Sequence, residues 1–336
     1  MTELTEEIIG ITKSGDRIRA YTLDNGHIKV RLSNYGAAIM NLWVPDKNGD
    51  MADIVLGYDR AEQYFDNPCN FGVFVGPSAN RIAKGEVPID GKIFQMPQNE
   101  GENNLHTDAG CGIHKMAWDA EAFGDNVTFT LNIEDGRYNL PGNRTMMVSY
   151  NLTADNALHI ACFGTTDKKT IFNPTNHSYF NLAGEGGGSV LRHDLLLNCS
   201  SYTPTDDALI PTGKLRGVEG TEYDFRQKRP IAQSYDINYC IDGYEDGKKL
   251  LFAAALEDPD SGRIMEVWTS LPGVQLYTAE HVDEPNGKNG HHYEAFSGVC
   301  LETQYFPDAV HHEKFADPLT EAGASYTSVT EYRFCV

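Results

Sequence analysis

Residues 173 to 182, Asn-Pro-Thr-Asn-His-Ser-Tyr-Phe-Asn-Leu, concentrate more hydrogen-bonding chemistry than any other stretch of the chain. Read as a β-strand, with alternate side chains on one face, they line up Asn173, Thr175, His177, Tyr179 and Asn181. Phe180 and Leu182 fall on the other face and suit a packed interior. A solvent-facing strand is usually rich in Lys, Glu and Thr; this row instead mixes donors, acceptors and a titratable imidazole. Such a set can hold a polyhydroxylated ligand while moving a proton. The alternative is a structural row around a buried histidine.

A second chemistry-bearing strand is Val299-Cys300-Leu301-Glu302-Thr303-Gln304-Tyr305-Phe306, where alternation puts Glu302 and Gln304 on the face of Cys300 and Phe306. A carboxylate in an otherwise apolar strand must be paired, or must border a cavity where its protonation state matters. Gln275 and Tyr277 share a face of Gly273–Tyr277. Asn80-Arg81-Ile82-Ala83-Lys84-Gly85 is followed by Asn103-Asn104-Leu105-His106. Taken alone, Arg81 could equally be structural and His106 a loop histidine.

The elements that must position these groups read as strands. Ile28, Val30 and Leu32 alternate with Lys29 and Arg31 after the turn Asp24-Asn25-Gly26. Glu86 to Phe94 reads as a hairpin around Asp90-Gly91. Val127 to Ile133 alternates again, Met147 to Leu152 and Leu158 to Phe163 flank Asp155-Asn156, and Leu250 to Leu256 and Arg263 to Thr269 flank a turn-rich connection. Helical periodicity is weak, with Arg60 to Tyr64 the one short candidate. Many short strands with close turns predict an all-β fold, a large antiparallel β-sandwich. No repeat, low-complexity tract or linker marks a boundary, so a single domain over 1–336 is expected.

The 336 residues carry a formal charge of −21, which argues against nucleic acid or an anionic membrane surface as partner. It also disfavours a strongly anionic substrate unless a local basic pocket intervenes. Seven scattered cysteines contain no C-x-x-C pair and suggest neither a disulfide framework nor a zinc ribbon. The acidic start, Met-Thr-Glu-Leu-Thr-Glu-Glu, lacks a signal-peptide h-region and no run is long enough to span a membrane, so a cytoplasmic protein is expected. His291-His292 and His311-His312 invite a metal reading, but neighbours on a strand point to opposite faces. No metal site is expected.

Four segments carry a family resemblance: Ala79-Asn80-Arg81-Ile82-Ala83-Lys84-Gly85, Asn104-Leu105-His106, Asn173 to Gly184, and Glu302-Thr303-Gln304. They resemble, in order, the signature segments of the aldose 1-epimerases, the galactose mutarotases. Asp236-Ile237-Asn238-Tyr239 is similar to the family's substrate-binding stretch. The resemblance implies a cofactor-free isomerase of the mutarotase-like β-sandwich fold. It would interconvert the α and β anomers of free aldoses such as galactose and glucose by opening and reclosing the ring. It further implies Glu302 as the base on the C1 hydroxyl, His177 as the acid on the ring oxygen and His106 close to that oxygen. Asn80, Arg81, Asp236 and Gln275 would hold the sugar hydroxyls, with Tyr179 also in the binding set. The partner would be a small aldose, and the chain a monomer or homodimer.

The residue types suit the chemistry independently, because ring opening takes a proton from O1 and gives one to O5. No redox centre or metal is required. Two departures stand out: Thr107-Asp108 replaces the family's usual Gly-Gly after Leu-His, and Gly76-Pro77 replaces Gly-Arg. Both bear on sugar preference rather than reaction type; Asp108 could face the pocket, or its loop could bend outward and leave it solvated. Two other readings compete. A sugar-phosphate enzyme would want several cations around the pocket. A non-catalytic carbohydrate-binding sandwich would want exposed tryptophan platforms, and only Trp43, Trp118 and Trp268 exist.

Overall fold

Alternating burial builds the largest sheet. In Asn126–Ile133, Arg144–Leu152 and Ala157–Thr166 every second side chain is buried, so Phe129, Val148 and Ile160 face inward while Thr128 and Thr145 stay half-exposed. The computed structural model describes residues 2–335. These three strands belong to a nine-stranded antiparallel sheet. Its order runs Asp119–Phe123, Asn126–Ile133, Arg144–Leu152, Ala157–Thr166, Ser325–Cys335, Ile264–Thr269, Leu251–Glu257, Asp194–Leu197 and Arg229–Pro230. The C-terminal strand therefore sits mid-sheet, between strands that precede it by more than fifty residues in the chain.

A five-stranded meander comes first in sequence: Glu3–Ile11, Arg17–Asp24, Lys29–Ser33, Ala38–Pro45 and Met51–Asp53. Its inward side chains Leu23, Val30 and Leu42 join the same buried cluster as Phe129 and Val148. Tyr21 meets Phe129 edge-on at 5.9 Å, and the Tyr150 hydroxyl donates to the Ala37 carbonyl at 2.6 Å. The two sheets thus close on one another through aromatic side chains whose polar ends are satisfied. Each such ring contributes roughly 1.5–3 kcal/mol by burial.

A second five-stranded sheet carries the chemistry, in the order Arg216–Gly217, Ser201–Tyr202, Asp236–Cys240, Gly273–Tyr277 and Cys300–Gln304. Its inward face, with Tyr239, Val274, Leu276 and Leu301, packs on the common core. The hairpin 86–95 turns at Asp90-Gly91 and the short helix spans Ala61–Tyr64, as expected. The polar row 173–181 differs from expectation. Only Thr175–Asn176 is a strand, paired with Phe74–Val75; the rest is extended chain held by single bridges, including Phe180 to Val55 and to Val299. Prolines at 77 and 174 and the turn at Leu182-Ala183 interrupt the ladder.

Candidate active site

Strand register assembles the site. Glu302 lies opposite Gln275, which lies opposite Asn238; Cys300 lies opposite Tyr277, which lies opposite Asp236. Directly paired residues share a face, so three strands present two polar rows to one side of the sheet. Side chains fill the space above Gly273, where a Cβ would stand 2.6 Å from Asn238 Oδ1 and 2.8 Å from the Phe306 ring.

Across from this face the segment after Asn176 delivers His177, whose backbone N–H donates to the Val73 carbonyl at 2.8 Å. His177 Nε2 stands 3.8 Å from Glu302 Oε2, and its Nδ1 lies 3.6 Å from Cys300 Sγ. Both acid–base groups are buried, and Glu302 Oε2 has no hydrogen-bond partner. An orphaned carboxylate oxygen is costly unless something arrives to fill it. Burial, reinforced by Asp236 and opposed by Arg81, pushes the Glu302 carboxyl up to about 8. Burial also brings the His177 imidazole down to about 4.

His106 comes from the far side, its ring 5.2 Å from that of His177 and steeply inclined to it. Its Nδ1 accepts from the Asn80 backbone N–H at 3.1 Å, which leaves Nε2 to carry the proton. Burial first, then the neighbouring His177, His114 and Arg81, hold His106 well below the ordinary histidine value. Asn80 and His106 both adopt left-handed backbone (φ +57° and +52°), a strain often concentrated at working sites. Arg81 reaches Asp236, Nη1 to Oδ2 being 3.6 Å, and is clasped by Glu100 through Nε and Nη2.

These groups border a cavity of about 270 Å³ lined by Asn80, Arg81, Glu100, His106, His177, Tyr179, Asp236, Tyr277 and Glu302, with Cys69 and His281 toward the rim. Of the residues assigned to binding, Gln275 takes a different place from that expected, whereas Tyr179 reaches the cavity. Gln275 does not line the cavity: it is buried behind Asp236, donating from Nε2 to Oδ1 at 2.6 Å, and so positions that carboxylate. Tyr179 lines the wall with its ring, stacked on His177 at 5.0 Å, while its hydroxyl is spent on the Cys69 carbonyl at 2.9 Å. Of the two orientations open to Asp108, the structure shows the outward one, its carboxylate accepting from the Gly110 and Cys111 backbone N–H groups in its own loop. Thr107, not Asp108, turns inward and bonds Ser78.

The remaining polar groups of the 173–181 row are structural. Asn173 bonds the Tyr305 backbone, Thr175 donates to the Thr303 carbonyl, and Asn181 donates to Gly188 and Ser297. Glu100 and Tyr277 are two of the cavity residues left unassigned from the sequence, along with Cys69, Asn70 and His281. Tyr277 was legible from its shared face with Gln275, whereas Glu100 sits in a polar loop with no periodic signal. Tertiary folding also does what spacing along the chain does not: it brings His177, Cys300 and Glu302 within 4.8 Å of one another as potential metal ligands. Cys300 and Glu302, however, approach opposite nitrogens of the imidazole, which disfavours one shared ion. No tryptophan lines the cavity among the described residues.

Residues 19–333 match the family described as aldose 1-epimerase. The chain is 36% identical to rat galactose mutarotase and 34% to the human protein, over the full length of both partners. It is 31% identical to aldose 1-epimerase of Escherichia coli, across 98% of this chain and 99% of that one. An aldose epimerase homologue from C. elegans superposes with a TM-score of 0.86 at 26% identity, covering 100% of this chain and 99% of that one. A galactose 1-epimerase structure from Lactobacillus acidophilus gives 0.85 at 24% identity with the same coverage, a likeness of fold. With its carboxyl and imidazole groups gathered on a mutarotase-like sandwich, this chain belongs to the aldose 1-epimerase family and is an isomerase of aldose anomers.

Proposed function

We propose that Glu302 and His177 form the acid–base pair of this mutarotase, and that the chain works as one unit on a free aldose. The observation that carries the assignment is the buried, unpartnered Oε2 of Glu302 facing His177 Nε2 at 3.8 Å. A C1 hydroxyl entering that gap donates to Oε2, and a ring oxygen accepts from the imidazole. In ring opening, the O1–H proton passes to Glu302 as the C1–O1 bond becomes a carbonyl. The C1–O5 bond breaks and its electron pair takes a proton from His177. Rotation about C1–C2 presents the other carbonyl face, and the reverse transfers close the ring.

In the free site the proton rests on Glu302 and the imidazole is neutral, since about 8 lies above about 4. That is the proton arrangement left behind by ring opening. A bound pyranose reverses it: the O1–H donor favours the carboxylate and the ring-oxygen acceptor favours the imidazolium. The site therefore holds one proton for two groups and moves it as the sugar alternates between closed and open forms. His106 lies beside His177 at the same edge of the cavity and adds an Nε2–H toward the ring oxygen. Asn80, Arg81 and Asp236 hold hydroxyl groups, and Gln275 acts on the sugar only through Asp236.

Polarimetry on freshly dissolved α-D-galactose and α-D-glucose tests the reading. Acceleration of the approach to anomeric equilibrium over the spontaneous rate is expected for both sugars. A rotation curve identical to buffer alone would remove the assignment.

A further inference from the structure

Arg81 is the one lysine or arginine lining the cavity among the described residues, and its guanidinium is already engaged. Nε donates to Glu100 Oε2 at 2.7 Å and Nη2 to Glu100 Oε1 at 2.8 Å, a two-pronged pairing in which the carboxylate covers one whole edge of the fork. The remaining nitrogen, Nη1, faces Asp236 Oδ2 at 3.6 Å. Glu100 is held in place. It exchanges backbone hydrogen bonds with Asn103 at 3.1 and 3.0 Å, and Asn103 Oδ1 accepts from the Lys84 backbone. The next strand, Asn104–Leu105, pairs directly with Arg81–Ile82. Carboxylate and guanidinium thus ride on one ladder.

We propose that Glu100 is a specificity-determining residue of the aldose site: by occupying the Nε/Nη2 edge of Arg81 it denies that guanidinium to anionic substituents, so the pocket takes neutral and amino-substituted aldoses and excludes uronates and sugar phosphates. The proposal rests on the mutarotase reading of the cavity. Glu100 and Asp236 border the site against a single guanidinium, and Glu302, which holds its proton in the free site, adds no charge. His106 and His177 add no positive charge in the free site, because burial keeps both imidazoles neutral at pH 7. An uncharged sugar meets hydroxyl-binding groups without cost. A carboxylate or phosphate on the sugar meets a net negative cavity and no free fork to receive it. A protonated amine meets carboxylates.

Mutarotation rates of galactose, galacturonate and galactosamine with its amine protonated, measured on wild-type protein and on Glu100→Gln, test this. Wild-type protein is expected to use galacturonate at least about tenfold less efficiently than galactose. Glu100→Gln should narrow that gap by about tenfold and lower galactosamine relative to galactose. Because the Glu100 side chain is 37% exposed, raising the salt should also weaken the wild-type exclusion of galacturonate, which a purely structural role would not do. Glu100→Asp keeps the charge and should retain the exclusion even where the shorter side chain slows all three sugars. An unchanged galacturonate-to-galactose ratio in Glu100→Gln, or equal use of both sugars by wild-type protein, overturns the proposal. Wild-type protein inert toward galactose removes the mutarotase reading and this inference with it, whereas active protein with an unmoved ratio removes the inference alone.

Discussion

Glu302 sits where its own charge is unwelcome, and the proposed role as base rests on that conflict. Glu302→Gln preserves shape but cannot accept the O1 proton, so a loss of about 10²–10⁴-fold in turnover is expected by polarimetry. The same change should stabilise the protein. The folded-state value of about 8 lies above the unperturbed 4.5, so the folded form holds the proton more tightly. The stability this confers is complete below 4.5 and is lost as pH rises through about 8. At neutral pH the amide should therefore raise stability by on the order of 1–3 kcal/mol, read as a higher Tm. An active Glu302→Gln, or one less stable than wild type above pH 7, would contradict this account.

The shared proton also predicts a bell-shaped pH dependence of kcat/KM. Below about 4 both groups are protonated and the base is gone; above about 8 both are bare and the acid is gone. Activity should be retained between those limbs whichever group carries the proton in the free enzyme. A profile that rises steadily through pH 8 would argue against the pair. Replacing His177 by Asn should lower turnover at least as much as replacing His106 by Asn, since His177 alone faces Glu302 at 3.8 Å. A dead His106 variant beside an active His177 variant would reassign the acid.

At the scale of elements, strand alternation and strand pairing do different work. Alternation puts Cys300, Glu302 and Gln304 on one face; antiparallel register then decides that Gln275, not another residue, stands beside Glu302. Because Gln275 holds Asp236 and takes a weak bond from Gln304, its loss should loosen sugar binding more than it slows the chemistry. Gln275→Leu is expected to raise KM several-fold, about 1 kcal/mol, a fraction of the roughly 1.5–3 kcal/mol of a hydrogen bond to a charged group because the loss reaches the sugar only through Asp236, with kcat changed less. A kcat collapse at unchanged KM would place Gln275 at the reacting atoms instead.

Over the whole molecule, buried pairs tie together segments far apart in sequence. Lys288 is buried at 1% exposure, with Nζ bonded to Asp53 at 2.7 Å and to the Val55 carbonyl at 2.8 Å, so the first meander is tied to a late loop. Truncating it to Ala should cost about 3–5 kcal/mol. The low end is expected, because Asp53 keeps donors from Asn41 and Leu42. Denaturant unfolding measures this; a change within about 0.5 kcal/mol, the range of ordinary surface substitutions, would show that the pair is dispensable.

The strand character, the sandwich class and the residue types gathered at the cavity were legible in the sequence because they rest on local periodicity and local motif. Val127–Ile133 alternates with period two wherever it is placed, and a lone Glu302 among apolar neighbours demands an explanation from its strand alone. What Tyr179, Gln275 and Asp108 actually do was not legible. Each lies beside the site in sequence pattern, yet a hydroxyl bonded to Cys69, an amide turned onto Asp236 and a carboxylate folded onto its own loop depend on partners brought by the fold. Glu100 is the converse, a loop residue without pattern that becomes a wall of the cavity only when the ladder 81–82 with 104–105 closes. Side-chain type and period are properties of the chain. Which polar atom is left free for a ligand depends on every neighbour that competes for it, and only the tertiary structure decides those neighbours.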